Sequence, residues 1–469
     1  MTRSTKTPPR ALALGLALIL SATLSPAATA QPKPAAAAAK PALPGKPAAA
    51  PTTPTNTARK PGAIDPQEKV TAIVGARVIT GDGDPIDDGV VLIAGGKIKA
   101  VGKGLSTPAG ADVVNAAGAI VTAGLIEPVT QLGLREIDLE PTANDETESH
   151  EQDRVRAAYR AADAYNPLSA VIPVQRTGGL TSAAIVPTGS LISGLSAWVD
   201  LSGDTATDAI VVSPLALHVH LEQGADPRGG SRGAAVRAIR EAFDDARAFQ
   251  KNRAAWEKNQ SRPFSASRLD LEALTLALGG GTKKGTRIPV VFHVNRASLI
   301  LTALSVAKEL DLTPVIAGGA EAWRVRATLA KAKVPVIVYP MVAGPESFDM
   351  LAARDDNAAL LHAAGVPLAI SSGETHNARK LRQAAGNAVR AGLPHAAAIA
   401  AITRAPAEAL GLGDRYGTLT PGKVANLVLW SGDPLELQTT PTAVYIRGQK
   451  QSLVTRQTLL LRKYRGLPR

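Results

Sequence analysis

Thr122-Ala123-Gly124-Leu125-Ile126-Glu127-Pro128-Val129-Thr130-Gln131 reads as a short buried strand running into a loop. It separates two textures of sequence. Before it, Val70 to Thr80 is strand-like and Gly81-Asp82-Gly83-Asp84-Pro85 is a turn. Val90 to Ile93 and Lys97 to Val101 then form two short strands, and the intervening Ala94-Gly95-Gly96 supplies the positive backbone angles of a tight hairpin. Val113 and Val114 start another strand that leads into the opening stretch.

After Gly124 short apolar strands alternate with helical stretches. The strands are Ser182 to Val186, Leu215 to Leu221, Pro289 to His293, Thr313 to Ile316, Pro335 to Tyr339 and Pro367 to Ser371. Arg296 to Leu310 and Ala320 to Lys333 are helical, and Ala234 to Glu257 reads as a charged helical insertion on the outside. The Gly-containing pieces 187–190 and 194–196 lack phosphate-loop spacing and read as βα turns. This alternation predicts an α/β fold, a (β/α)8 TIM-like barrel over 123–414. Strand-and-turn sequence returns from Gly417 to Val454, so 65–122 and 415–469 form a composite β-sandwich.

The first thirty residues are a targeting segment. Arg3, Lys6 and Arg10 precede the apolar run Ala11 to Leu24, and Ala28-Thr29-Ala30 is an A-x-A cleavage site. The expectation is an exported, periplasmic or secreted chain cleaved near Ala30, with no transmembrane helix in its mature form. Residues 31–64 are an Ala/Pro/Lys-rich disordered linker. Eight cations and no acidic residue precede position 65, so the net charge of +12 falls to +4 for the remainder. That balance, with only 3% aromatic residues, argues against a nucleic-acid partner. The chain has no cysteine, which excludes thiolate catalysis, thiolate metal sites and disulfides.

Several segments together resemble the amidohydrolase superfamily. Asp88-Gly89-Val90-Val91-Leu92-Ile93-Ala94-Gly95-Gly96-Lys97-Ile98 is similar to its N-terminal sandwich, and Tyr416 to Trp430 to the segment that completes it. Ile402-Thr403-Arg404-Ala405-Pro406-Ala407 resembles the preceding "T-x-x-P-A" helix, Gly178 to Ser182 the "G-G-I-T-T" segment, and the opening stretch "P-G-L-I-D-x-H-x-H". The imidazolonepropionase-like branch looks most similar. The resemblance implies hydrolysis of C–N bonds in linear or cyclic amides, with a divalent metal such as zinc activating a water.

The ligand positions that the resemblance implies are largely altered. Val129 and Gln131 stand where the H-x-H pair belongs, and Glu127 stands for the preceding Asp. His293 corresponds to the third histidine. The fourth falls in Thr313 to Gly319, which has none, and the final Asp aligns near Gly373. A relocated metal site is one reading: His218 and His220 are two apart on a strand, share a face and could join His293, with Glu222 close behind. Glu374 and His376, after the last barrel strand, are the candidate catalytic acid–base pair. His150 lies in an acidic stretch read as a solvated face that could also cap the barrel mouth. Three readings stay open: a C–N hydrolase with a rearranged zinc site, a metal-free barrel that binds a small molecule or a protein in the envelope, and a metal-free isomerase- or decarboxylase-like enzyme. Self-association into a homo-oligomer is also open.

Overall fold

The computed structural model describes residues 68–147, 153–222, 230–258, 260–281 and 285–466. The residues read as a targeting segment (1–30) and as a linker (31–64), together with His150, lie outside them. Five strands come first: β1 (Thr71–Ile79), β2 (Ile86–Ala94), β3 (Lys97–Lys103), β4 (Asp112–Asn115) and β5 (Ile120–Ala123). Gly95 and Gly96, with φ of 56° and 71°, make the β2–β3 turn, a conformation in which a side chain would be strained. β4 and β5 lie in succession along one edge of β1, pairing Thr71–Val74 and Arg77–Ile79 respectively.

The barrel staves follow in chain order: β6 (Leu125–Thr130), β7 (Leu180–Ile185), β8 (Ile192–Leu195), β9 (Ala197–Asp200), β10 (Ile210–Val212), β11 (Leu217–His220), β12 (Val290–Val294), β13 (Pro314–Gly318), β14 (Val336–Val338) and β15 (Leu368–Ile370). β6 and β7 are parallel, as are β11 through β15 in sequence. Alternating side chains divide the core. Val291, Val315, Ala317, Ile337 and Ala369 pack together on one face, with Ile126, Ala184 and Trp198. Phe292, Ile316, Val336 and Ile370 pack in the larger cluster that includes the helices. Finally β16 (Leu427–Trp430), β17 (Pro441–Ile446) and β18 (Gln449–Lys450) complete the first sheet, whose order is β18-β17-β16-β5-β1-β2-β3.

Two local expectations are corrected. Gly194 does not sit in a βα turn but inside β8. The β8 and β9 strands run through residues 192–200 as an antiparallel stave, β8 against β11 and β9 against β7. Gly194 has φ 126°, and a Cβ there would lie 2.3 Å from the Tyr159 carbonyl, so the strand passes this bend only without a side chain. The charged stretch after 230 is not an external insertion. Its helix, Arg232–Lys251, buries Val236, Ile239, Phe243, Ala246 and Phe249 in the main core and leaves its charges, the buried Asp245 excepted, on the other face.

Side chains bridge two joins. Among the described residues no backbone ladder joins β15 to β6, the first and last staves. Glu127, fully buried, instead accepts hydrogen bonds from Ser371 Oγ, Ser372 N (3.1 Å) and Ser372 Oγ (2.6 Å). Between barrel and sandwich, the buried Asp200 accepts from Ser182 Oγ (2.8 Å), Asn426 Nδ2 (2.9 Å), Tyr416 OH (3.1 Å) and Arg447 Nε (2.6 Å).

Candidate functional site

The site lies where β11 to β15 end, at the edge of the barrel from which their following loops leave. In β11 and β12, His220 pairs in register with His293, and residues two apart share a face. His218, His220 and His293 therefore converge. His218 Nδ1 and His293 Nε2 share a hydrogen bond of 2.9 Å, and the rings of His220 and His293 stack with centroids 4.1 Å apart. Two residues further on, Glu222 and Asn295 continue the same row, joined by a 2.9 Å bond from Asn295 Nδ2. The result is a polar ladder, histidines below and a carboxylate–amide pair above.

Burial sets the charge of this ladder. It pushes His218 down to about 3 and His220 to about 4, with the neighbouring His220 adding to the effect on His218. His293 is lowered as well, by burial and then by His220 and His218. All three imidazoles are therefore neutral near pH 7. Glu222 is raised by burial and then by the charge of Asp349. Glu127, at the barrel seam, is pushed up to about 7 by burial, against the lowering effect of its hydrogen bonds to Ser371 and Ser372.

The positions aligned with the superfamily's metal ligands do not form a metal centre. Val129 has no lone pair. The amide oxygen of Gln131 accepts from Thr375 Oγ1 at 3.0 Å. Position 318 has no side chain, and a Cβ there would lie 2.6 Å from Asn295 Oδ1, on a backbone with φ 94°. Gly373 also has positive φ, 69°. The relocated trio does not supply a replacement. His293 Nε2 is engaged by His218, while His220 bonds Ser193 Oγ through Nε2 at 3.1 Å and also the Pro187 backbone. Among the described residues no group of three His, Asp or Glu side chains is arranged to hold a metal ion. His218 Nε2 is buried with no hydrogen-bond partner.

Glu374 and His376 are placed apart in function. Glu374 lines the mouth and lies 3.7 Å from Lys380, while His376 Nε2 bonds the Glu136 carbonyl at 2.9 Å and its Nδ1 faces Asp138 at 3.5 Å. No hydrogen bond joins the two among the described residues.

Two cavities open at the mouth, sharing Tyr339 and Val342 as wall residues. One, of about 420 Å³, lies over Val129, Gln131, Ser372, Gly373 and Glu374. The other, of about 180 Å³, is walled by Glu222, Asn295, Tyr339, Glu346, Met350 and Asn357 among others. Burial, then Glu222 and Glu127, raise the Tyr339 phenol, so it stays a neutral donor. Asn295 and Tyr339 match no motif. The two-residue period running from His218 and His293 is the signal in the sequence that reaches Glu222 and Asn295; Tyr339 has none beyond its place at the end of a barrel strand.

A barrel whose sheet ends form a pocket, joined to a sandwich built from both flanks, defines the amidohydrolase class of fold. Residues 296–455 match the amidohydrolase family. Amidohydrolase tasK of Hapsidospora irregularis is 24% identical over 405 residues, which is 77% of this chain and 40% of that protein. The imidazolonepropionase of Aromatoleum aromaticum is 45% identical over 85 residues, 17% of this chain and 21% of that protein. The chain thus spans about two fifths and one fifth of the length of these relatives. An amidohydrolase from Thermotoga maritima MSB8 superposes with a TM-score of 0.72 at 26% identity, covering 81% of this chain and 99% of the other. Molinate hydrolase, with a TM-score of 0.52 at 17% identity over 82% of this chain and 95% of its own, shares the fold. The chain is a distant homologue of the amidohydrolases.

Proposed function

We propose that this chain is an amidohydrolase-fold protein that binds a small polar molecule at the barrel mouth without the metal-activated water of its relatives. The observation that carries this reading is the pairing of Asn295 with Gly318, in the stretch Thr313 to Gly319: the amide occupies the space that any side chain at 318 would need. Val129, Gln131 and Gly373 complete the loss of donors. What the mouth offers instead is hydrogen bonding. Glu222 accepts from Asn295 and, ionised or protonated, presents oxygen to the cavity, while Tyr339 is a phenol donor. Such a wall orients an amide or a lactam, the bond class the kinship suggests, by pairing its N–H and C=O separately.

Hydrolysis of such a ligand is the second reading, favoured by the Glu222 carboxyl on the cavity wall, raised by burial and by Asp349, as the group placed to act as acid or base. Glu374 supplies a further carboxylate on the mouth. In this reading the three buried histidines hold the wall in place, and His376 anchors the loop that follows β15.

The same reading places the protein outside the cytoplasm, released by cleavage near Ala30, with residues 31–64 as a tether. It divides the rest into a barrel over 123–414 and a sandwich from 65–122 and 415–469. No helix among the described residues is long and apolar enough to cross a membrane.

Metal analysis after dialysis, combined with calorimetric screening of linear and cyclic amides, tests the proposal. The expected result is less than stoichiometric zinc, together with amide binding that chelators leave unchanged and Glu222→Ala/Tyr339→Phe abolishes. Near-stoichiometric zinc lost in His218→Ala/His293→Ala would overturn it. Turnover of a bound amide, unaffected by chelators and lost in Glu222→Gln, would establish the second reading in its place.

A further inference from the structure

Two exposed patches carry opposite charge, and in the acidic one only part of that charge is met within the chain, where Asp138 pairs with Arg135 at 3.2 Å. The helix Arg456–Tyr464 buries none of its residues. At 100° per residue Leu460, Leu461 and Tyr464 fall on one stripe, with Arg456 and Lys463 along one side and Arg462 and Arg465 along the other. Those apolar residues are 43%, 64% and 52% exposed. The helix carries no acidic residue.

The second patch is the loop Glu136-Ile137-Asp138-Leu139-Glu140. It alternates acid and apolar side chains, and Ile137 and Leu139 are 57% and 95% exposed. Leu168, 70% exposed, extends it, because Asn166 bonds both Glu136 and the Leu168 backbone. Exposed apolar side chains grouped between charges of one sign are what an interface presents before it closes.

His376 ties the two patches to one side of the molecule. It lines a groove together with Thr455, Arg456 and Thr458 from the start of the helix, and it hydrogen-bonds the Glu136 carbonyl. We propose that a second copy of this chain covers this side: the basic helix of each protomer packs its leucines on Ile137 and Leu139 of the other, and its cations face Glu136 and Glu140. A twofold axis makes each contact twice, so two modest patches add to one closed interface rather than an open chain. The complementarity is reciprocal within one sequence, which favours a second copy over an unrelated partner.

Sedimentation velocity on the purified full chain at low salt tests this. The expected result is a dimer whose dissociation constant rises about tenfold or more in Arg462→Glu/Lys463→Glu and, separately, in Glu136→Lys/Glu140→Lys. Combining the four substitutions restores the dimer to within about threefold of the original. Circular dichroism controls for folding, and Leu461→Glu on the exposed stripe provides a further variant with the same expected weakening. A monomer at every concentration, or charge reversals without effect, would overturn the proposal. So would a combined variant that stays monomeric, or a monomer that binds vesicles of anionic phospholipid through Arg462 and Lys463, which would assign the helix to a lipid surface.

Discussion

Asn295 occupies the volume that a side chain at position 318 would fill: a Cβ on Gly318 would lie 2.6 Å from Asn295 Oδ1. That oxygen accepts from Ala320 N at 3.2 Å while the amide nitrogen donates to Glu222, so the asparagine is fixed at both ends. Gly318→Ala is expected to destabilise the fold by about 1–3 kcal/mol, from the clash and the positive φ together. Adding Asn295→Ala should relieve the clash but not the backbone strain. Denaturant unfolding of the two single variants and the double variant reads the coupling.

Restoring the two missing histidines does not restore a zinc site. Val129→His/Gln131→His adds donors at one end of a mouth in which positions 318 and 373 still contribute none. Zinc titration followed by fluorescence or calorimetry is expected to show binding weaker than stoichiometric at micromolar protein, and no gain of amide hydrolysis.

The three buried histidines make the fold sensitive to acid. Their protons bind more readily in the unfolded chain, whose imidazoles titrate near 6.5, than in the folded one, where His218 and His220 lie at about 3 and 4. Their contribution to stability is present in full above pH 6.5 and is lost progressively as pH falls toward 4 and below. His218→Asn/His293→Asn, which keeps polar groups in the row, should flatten the slope between pH 6.5 and 4 even where it lowers stability at pH 7.

Glu127 acts in the opposite sense. Its folded pKa of about 7 exceeds the ordinary 4.5, so its contribution is full below pH 4.5 and is lost as pH rises to 7. Glu127→Gln should therefore gain on the unsubstituted protein by roughly 2–3 kcal/mol between pH 5 and pH 8. A difference in stability that does not change with pH would show that the carboxyl is ionised throughout.

Asp200 holds the barrel to the sandwich through one buried carboxylate and four donors. Asp200→Ala removes the ion partner of Arg447, whose guanidinium keeps the Asp208 and Ala209 carbonyls, and leaves Ser182, Asn426 and Tyr416 without this acceptor, at a cost of roughly 2–3 kcal/mol. Limited proteolysis should show 415–450 released first, because the strands β16 and β17 lose the tie that seats them.

Most of the fold was legible because it rests on local periodicity. The apolar strands after Gly124, the Gly95-Gly96 hairpin and the returning segment at 427–446 each announce themselves within a few residues. The stave at 192–200 did not. Its glycines and serines imitate a turn, and only its ladders to β7 and β11 show it as a strand. The helix Arg232–Lys251 was misplaced for a related reason, since its many charges hide a regular apolar face.

At the site, the sequence by itself determined which side chains stand there: Val129 and the glycines at 318 and 373 bring no side-chain donor, and Gln131 brings only a neutral amide oxygen. It also placed His218 and His220 on one strand face. Only the tertiary structure decided what those histidines do. The register of β11 against β12 turns His218 onto His293 and stacks His220 beside it, so their ring nitrogens bond to one another, to Ser193 and to the Pro187 backbone. It also decided why position 318 is bare, because Asn295 reaches that space from the neighbouring strand. Donor identity is a property of single residues and can be read along the chain. Donor direction depends on strand register and on which side chain fills a shared volume, and those are fixed only when distant segments pack.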